Sequence, residues 1–285
     1  MTSDTALKIR KLTPAIGAEL TGLDLTGPLG QETLDSIYAA LIEHHVVFIP
    51  APALSVANHL SFARSFGEPQ PPHPVYPHHP ECEHVVVLHN GPDNPPDTDG
   101  WHSDVSFQKT PPFASILWAR QVPDVGGDTL WTSLASAYDS LPLGIKSEIE
   151  QMSAIHDLGD YRNNFTRGEQ DGTRLVEAHQ RFGSAIHPLV QTHPVSKRKF
   201  VFANEGFTQH IVGLKAADSN HLLSYLYHHI SQPEHQVRFH WSAGAMAIWD
   251  NRCTLHYATS DYFPEERVMH RITVVEDRRL SVSQA

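Results

Sequence analysis

Short strand-like runs, most of them ended by proline- or glycine-rich stretches, constrain this chain more than any other feature of its sequence. Val46–Pro50 (VVFIP), His84–Leu88, Phe113–Arg120, Asp128–Trp131, Gln236–His240, Ala245–Trp249 and Arg271–Glu276 are apolar and rich in β-branched or aromatic residues, which is how strands read. Glu68–Pro80 and Gly91–Pro96 are crowded with prolines and read as loops around one of these strands. A doubly wound fold would need strands and helices in regular alternation and usually a glycine-rich phosphate turn, and Gly126-Gly127 lacks the GxGxxG context. The expected architecture is mainly β with peripheral helices, its sheets stacked as a sandwich or jelly roll, in a single domain over residues 1–285.

The helices fall mostly at the edges of this pattern. Leu34, Ile37, Tyr38, Leu41 and Ile42 give helical spacing over Gln31–His44. Ser55 opens a second amphipathic stretch through Val56, Leu60, Ala63 and Phe66, with Gly67 as its stop. Further helices are expected over Ser133–Leu141, Leu143–His156 and Asp218–Ser231. Gly159–Glu177 is polar and aperiodic, with three glycines, and reads as a surface loop or lid.

Bulk properties exclude several classes of function. With 40% apolar residues among 285, the chain has ample material for a core. A net charge of -11 with only 21 Lys and Arg argues against nucleic acid, although a desolvated pocket can still gather a few arginines for a small anionic substrate. Cys82 and Cys253 fit no CxxC pattern or disulfide framework, which suits a reducing cytoplasm. MTSDTALKIRKL has no apolar run after its charges, and no later stretch approaches the roughly 18 apolar residues of a membrane span. The reading is a soluble cytoplasmic protein without membrane or nucleic-acid partners; a homo-oligomer is left open.

The chemistry lies in Gly-Trp-His-Ser-Asp, where His102 and Asp104 stand two apart. On an extended segment, residues i and i+2 point to one side, so an imidazole and a carboxylate reach the same ion. His256, far along the chain in WDNRCTLHY, supplies a third ligand. Two imidazoles and one carboxylate on one face leave three octahedral positions open, as Fe(II) oxygenases require for a bidentate co-substrate and O2, whereas a structural zinc site is closed. By itself HxD is weak in a chain with 21 histidines, where a hydrogen-bonded turn histidine explains it as well. Arg267 and Arg271 add weight: four apart on a strand they face one side, which suits an anion pocket, although each alone would read as a surface salt bridge.

HPVYPHHPE, DNPPDTDGWHSDVSF, GGDTLWTS, THPVS, NEGFT and WDNRCTLHYATSDYFPEERVMHR together resemble the TauD/TfdA family of Fe(II)/2-oxoglutarate-dependent dioxygenases, in nearly collinear blocks from the first helix to Glu276. The resemblance implies a double-stranded β-helix (jelly-roll) core, Fe(II) on His102, Asp104 and His256, and 2-oxoglutarate with O2 as co-substrates. It implies that Arg267 and Thr129 hold the distal carboxylate of 2-oxoglutarate and that Arg271 lies between co-substrate and substrate. A planar guanidinium grips a carboxylate through two parallel hydrogen bonds, and a threonine hydroxyl adds a third. His73 and Tyr76 match residues contacting the sulfonate and amine ends of the substrate, and Phe207 an apolar wall. Plainer readings exist: a loop histidine for His73, a core residue for Phe207, an ordinary strand residue for Thr129.

The implied reaction is oxygenation of taurine or a related alkylsulfonate to sulfite, an aldehyde, succinate and CO2. An alkyl sulfate ester or aryloxyalkanoate is the alternative within the family; a zinc hydrolase and a non-catalytic anion-binding protein are the alternatives outside it. Two departures bear on the substrate: Thr98 stands where the family has an asparagine near the amine, and residues 158–162 replace a phenylalanine-bearing segment.

Overall fold

The computed structural model describes residues 7–72, 76–96, 100–159 and 173–282. In chain order, β1 (Lys8–Lys11) and β2 (Ala18–Thr21) form a hairpin, α1 (Gln31–His44) leads into β3 (Val46–Pro50), and α2 (Val56–Phe66) precedes β4 (His78–His79), β5 (Cys82–Asn90) and β6 (Ala114–Gln121). Then come β7 (Thr129–Ser133), α3 (Leu134–Ser140), α4 (Leu143–Ile149), β8 (Ser153–His156), α5 (Thr173–Phe182), β9 (Ala185–Pro188), β10 (Val190–Thr192), β11 (Lys199–Val201) and β12 (Thr208–Ile211). The last part holds α6 (Ala216–Ile230), β13 (Gln236–Phe239), β14 (Ala245–Asp250), β15 (Thr254–Ala258), β16 (Arg267–Val274) and α7 (Arg278–Val282).

An eight-stranded sheet in the order β1-β2-β3-β14-β6-β16-β5-β4 carries the molecule; its pairs are antiparallel except β2 with β3. The alternation of side chains along each strand sorts residues into two cores. Val47, Ile49, Ile116, Trp118, Met246, Ile248, Ile272 and Val274 face α1 and α2, whose Ile37, Leu41, Phe62 and Phe66 cover them. Phe48, Leu117, Ala247, Trp249 and Met269 face the other way, against Trp131 and Val237 of the small sheet β13-β7-β15 and Trp241 beyond it. Both faces of β3 and β14 are covered, which is why these strands read as continuous apolar runs. Further β-structure (β12-β8-β9 and β10-β11) packs with α3, α4 and α6 into a third core around Leu134, Phe202, Leu226 and Leu255.

Local signals hold the helices in register with this frame. Ser55 Oγ accepts from Asn58 N at 3.1 Å and caps α2. At the other end, a Cβ on Gly67 would collide with the backbone oxygen of Glu276, so only glycine lets the chain pass there.

The structure corrects three expectations. The helix expected over Leu143–His156 ends at Ile149, and Ser153–His156 is instead β8, paired with both β9 and β12; Ala154 and His156 are buried while Ser153 and Ile155 are half-buried, the alternation of a strand whose partners lie far along the chain. The last strand starts at Arg267 rather than Arg271 and ends at Val274. Of the expected loop over 159–177, residues 160–172 lie outside the described residues, and from Thr173 the chain is already in α5. Among the described residues no helix is long and apolar enough to cross a membrane.

Candidate functional site

β15 and the segment before Asp104 lie side by side, and one isolated antiparallel bridge joins them: His102 N donates to His256 O at 3.2 Å and His256 N to His102 O at 2.8 Å. Residues directly opposite in such a pair project to the same face, so the two imidazoles meet with ring centroids 4.2 Å apart. Asp104, two residues beyond His102, joins them, and one ligand atom from each of the three residues lies within 4.8 Å of the others. The chain turns away directly afterwards at Val105, whose φ of 47° is costly for a β-branched residue and places backbone strain next to the cluster.

Neighbouring groups orient and polarise the three side chains. His102 Nδ1 sits 2.9 Å from Gly100 O; a carbonyl only accepts, so Nδ1 donates and Nε2 keeps its lone pair for the cluster. Ser115 Oγ donates to Asp104 Oδ2 at 2.6 Å, and Arg271 Nη1 to Oδ1 at 3.3 Å. Burial works to raise the Asp104 carboxyl, but Arg271, His256, His102 and the Ser115 hydroxyl outweigh it and hold it well below the usual carboxylate range. Burial, with His102 and Arg271 adding to it against the pull of Asp104, pushes His256 down to about 3. A carboxylate and two imidazoles directed at one point are a donor set for a divalent cation. Trp249 backs His256 at 4.9 Å between centroids. Asn251 clamps the loop: its Oδ1 accepts from Asp104 N at 2.7 Å, and its Nδ2 donates to Asp104 O at 3.1 Å and Pro112 O at 3.2 Å.

A second convergence, His193, Asp250 and Cys253, has a different character. His193 Nδ1 accepts from Val195 N and Ser196 N, so its Nε2–H donates to Asp250 at 3.0 Å. Arg252 already neutralises Asp250 at 2.5 Å, and burial raises the Cys253 thiol well above its usual value. Both Asp250 oxygens and both His193 nitrogens are thus engaged within the protein, and the cluster braces the root of the β14–β15 hairpin.

Along β16 the strand period turns Arg267, Met269, Arg271 and Thr273 to the cavity side and Ile272 and Val274 to the helices. The cavity encloses about 400 Å³ and gathers His102, Asp104, Thr129, His256, Arg267 and Arg271. Arg267 is buried; its Nε donates to Gly127 O at 3.1 Å and its Nη2 to Thr129 Oγ1 at 3.3 Å. Trp241 Nε1 donates to the same Thr129 oxygen at 3.0 Å, so both lone pairs of that hydroxyl are taken and its own proton is left to donate. Burial pushes the Arg267 guanidinium down, and Asp128, the carboxylate that opposes this, is itself engaged by Arg238 at 2.5 Å and His240 at 2.7 Å. Among the described residues Arg267 forms no salt bridge, so a buried cation beside a free hydroxyl proton presents an anion-shaped gap.

Tyr76 and Phe207 line the same cavity. Arg271 Cζ lies 5.8 Å from the Tyr76 ring, and Phe207 meets His102 edge-on at 6.0 Å. Behind Phe207 its backbone N donates to Asn204 Oδ1 at 2.8 Å, and Asn204, Ser106, His156 and Thr208 form one buried hydrogen-bonded group. His73 and Thr98 lie outside the described residues. Sequence reasoning passed over Ser115, Trp241, Asn204 and Asn251. Asn251 and Asn204 did leave a signal, standing inside the WDNR and NEGF blocks next to residues that were singled out.

With this geometry in view, comparisons place the chain among known proteins. The profile of the family described as "Taurine catabolism dioxygenase TauD, TfdA family" matches residues 8–273. An alkylsulfatase of Acinetobacter baylyi is 34% identical over 94% of this chain and 84% of its own length. An alpha-ketoglutarate-dependent sulfate ester dioxygenase of Pseudomonas putida is 33% identical over 94% of this chain and 89% of its own. The crystal structure of a taurine dioxygenase from Burkholderia xenovorans superposes with a TM-score of 0.80 at 33% identity, covering 95% of this chain and 90% of that one.

Proposed function

The chain belongs to the TauD/TfdA family, and on that footing we propose a 2-oxoglutarate-dependent dioxygenase that oxidises a small organosulfur anion at the carbon bearing its sulfur group. His102, Asp104 and His256 would hold Fe(II), whose chemistry when bound is to couple O2 to the oxidative decarboxylation of 2-oxoglutarate into succinate and CO2. The observation that carries this reading is the order of charges along β16: a buried guanidinium at Arg267 that has no carboxylate partner among the described residues, then Arg271 beside Asp104.

Each remaining part has a role that its contacts support. Arg267 and the Thr129 hydroxyl take the distal carboxylate of 2-oxoglutarate, and Gly127 O and Trp241 hold that pair in place. Arg271 neutralises the negative head of the substrate, while Tyr76 and Phe207 wall its tail and exclude water from the oxidised carbon. His73 and Thr98 belong to the substrate pocket on resemblance. The eight-stranded sheet facing β13-β7-β15 supports the double-stranded β-helix reading of the core, and the free Cys82 and Cys253 suit a cytoplasmic setting. A zinc hydrolase or a simple anion binder would need no clamp at Arg267 beside an open three-ligand cluster.

For the substrate, the resemblance favours taurine or another alkylsulfonate, whose hydroxylated carbon collapses to an aldehyde and sulfite. A second reading, an alkyl sulfate ester releasing sulfate, is favoured by the alkylsulfatase and the sulfate ester dioxygenase among the relatives. Succinate formation measured beside sulfite and sulfate release, over a panel of alkylsulfonates and alkyl sulfates, decides. Succinate matched one-to-one by sulfite or by sulfate is expected; if no member of either series stimulates succinate formation, the organosulfur reading is wrong.

A further inference from the structure

Of the charged side chains lining the cavity, Arg267, Arg271 and Asp104 are absorbed by the proposed reaction, and Glu205 is not. It lies between β11 and β12 and is exposed. Its neighbour Gly206 packs against a metal ligand, since a Cβ there would stand 3.1 Å from His102 Cβ. The Glu205 carboxylate reaches the chain that leads into His102, with Oε2 3.2 Å from where a Gly100 Cβ would be. Arg271 lines the same cavity and lies beside the cluster at Asp104, with Nη1 3.3 Å from Asp104 Oδ1. Among the described residues no cation or hydrogen-bond donor pairs with Glu205, a carboxylate that lines the cavity.

We propose that Glu205 is a specificity-determining residue that reads the charge on the tail of the substrate. With the anionic head at Arg271, a cationic tail is favoured over a neutral one and a second anion is disfavoured. The inference rests on the organosulfur reading above and narrows it: a guanidinium and a carboxylate lining one cavity match a zwitterion such as an aminoalkylsulfonate or aminoalkyl sulfate. Part of the selection is repulsive, which is how binding sites commonly reject near-isosteres. Because Glu205 is exposed, solvent screens it, and the discrimination amounts to about threefold to tenfold for each unit of tail charge.

The test uses three tails of similar length, ammonium, methyl and carboxylate, on both a sulfonate and a sulfate-ester head, with the wild type and Glu205→Gln. Equal melting temperatures confirm that the variant folds. In the variant, the ratio of kcat/KM for ammonium over methyl should fall about threefold to tenfold and the ratio for carboxylate over methyl should rise by a similar factor, with the change carried by KM. The wild-type ratios should also shrink from low to high salt. Ratios that do not move with the substitution overturn the proposal. If no compound on either head supports succinate formation by the wild type, the organosulfur reading fails separately, and calorimetric binding of the same series still decides for Glu205: an ammonium-over-methyl-over-carboxylate order that flattens in the variant supports it, and the absence of that order overturns it.

Discussion

At one end of the cavity the charged and hydroxyl groups stand on strands and are braced from segments beside them; at the other the walls come from loops. Arg267 and Thr129 stand on β16 and β7, Trp241 follows β13, and Gly127, at φ 68°, lies just before β7 with its backbone N donating to Asp261 Oδ1 at 2.9 Å. At the tail end, Tyr76, Glu205 and Phe207 lie outside any strand, and Phe207 owes its position to the buried Asn204–Ser106–His156–Thr208 group. The difference matches what each end would recognise under the proposed function. A co-substrate shared by a family calls for unchanging geometry on rigid elements, whereas a substrate that differs between relatives is met by segments that vary without disturbing the sheets.

The sharpest way to break the comparison is at Arg267. Arg267→Ala removes a buried hydrogen-bonded cation, and the KM for 2-oxoglutarate should rise about a hundredfold or more while the KM for the sulfur substrate changes little, as steady-state kinetics in each co-substrate will read. Equal rises in both would mean that the two ends are not separate.

Acid should also separate the ends. Burial, with His187 adding to it, pushes His156 down to about 3, whereas the unfolded chain protonates this residue near 6.5. Above pH 6.5 both states are neutral and the full stability is present. Below it the unfolded state binds a proton that the folded state refuses, so stability is lost progressively toward pH 3, by about 2 kcal/mol at pH 5 from this residue. Protection factors of the β8 and β12 amides, taken relative to the slower intrinsic exchange at lower pH, should therefore fall between pH 7 and 5 ahead of those in β16, and His156→Leu should remove part of the pH slope of the melting temperature. A guanidinium such as Arg267 stays charged over this range.

Two smaller effects sharpen the boundary. Ser115→Ala deletes the 2.6 Å hydrogen bond to Asp104 and should weaken metal affinity by about twentyfold, measured by metal titration, with both co-substrates affected alike because the ligand cluster serves both ends. Phe207→Ala should raise the KM for the sulfur substrate about tenfold and leave that for 2-oxoglutarate within about twofold.

The same division governs what could be read from sequence. The convergence of His102 with Asp104 and of Arg267 with Arg271 was expected from a local rule, that residues two or four apart on an extended segment share a face, with the family blocks around them lending HxD the weight it lacks alone. β8 was not legible, because its apolar residues also suit a helix and its identity depends on ladders to β9 and β12. Asn251 and Trp241 were missed for a related reason: an asparagine clamp or an indole donor is defined by partners at Asp104 and Thr129, far away in sequence. At the tail end, the expectations for His73, Thr98 and most of the 159–177 segment fall outside the described residues.

The phase of β16 has a consequence for how genes of this kind can change. Its odd-numbered residues from Arg267 to Thr273 serve the cavity and Ile272 and Val274 serve the helical core, so a single codon gained or lost between Arg267 and Arg271 would exchange the faces on one side of the lesion. One arginine would then be turned into the helical core while the other stayed in the cavity. Substitutions along this strand can be sampled one at a time, but length changes cannot, and lineages that alter their substrate are expected to accumulate insertions in the tail-end loops while β16 keeps its length.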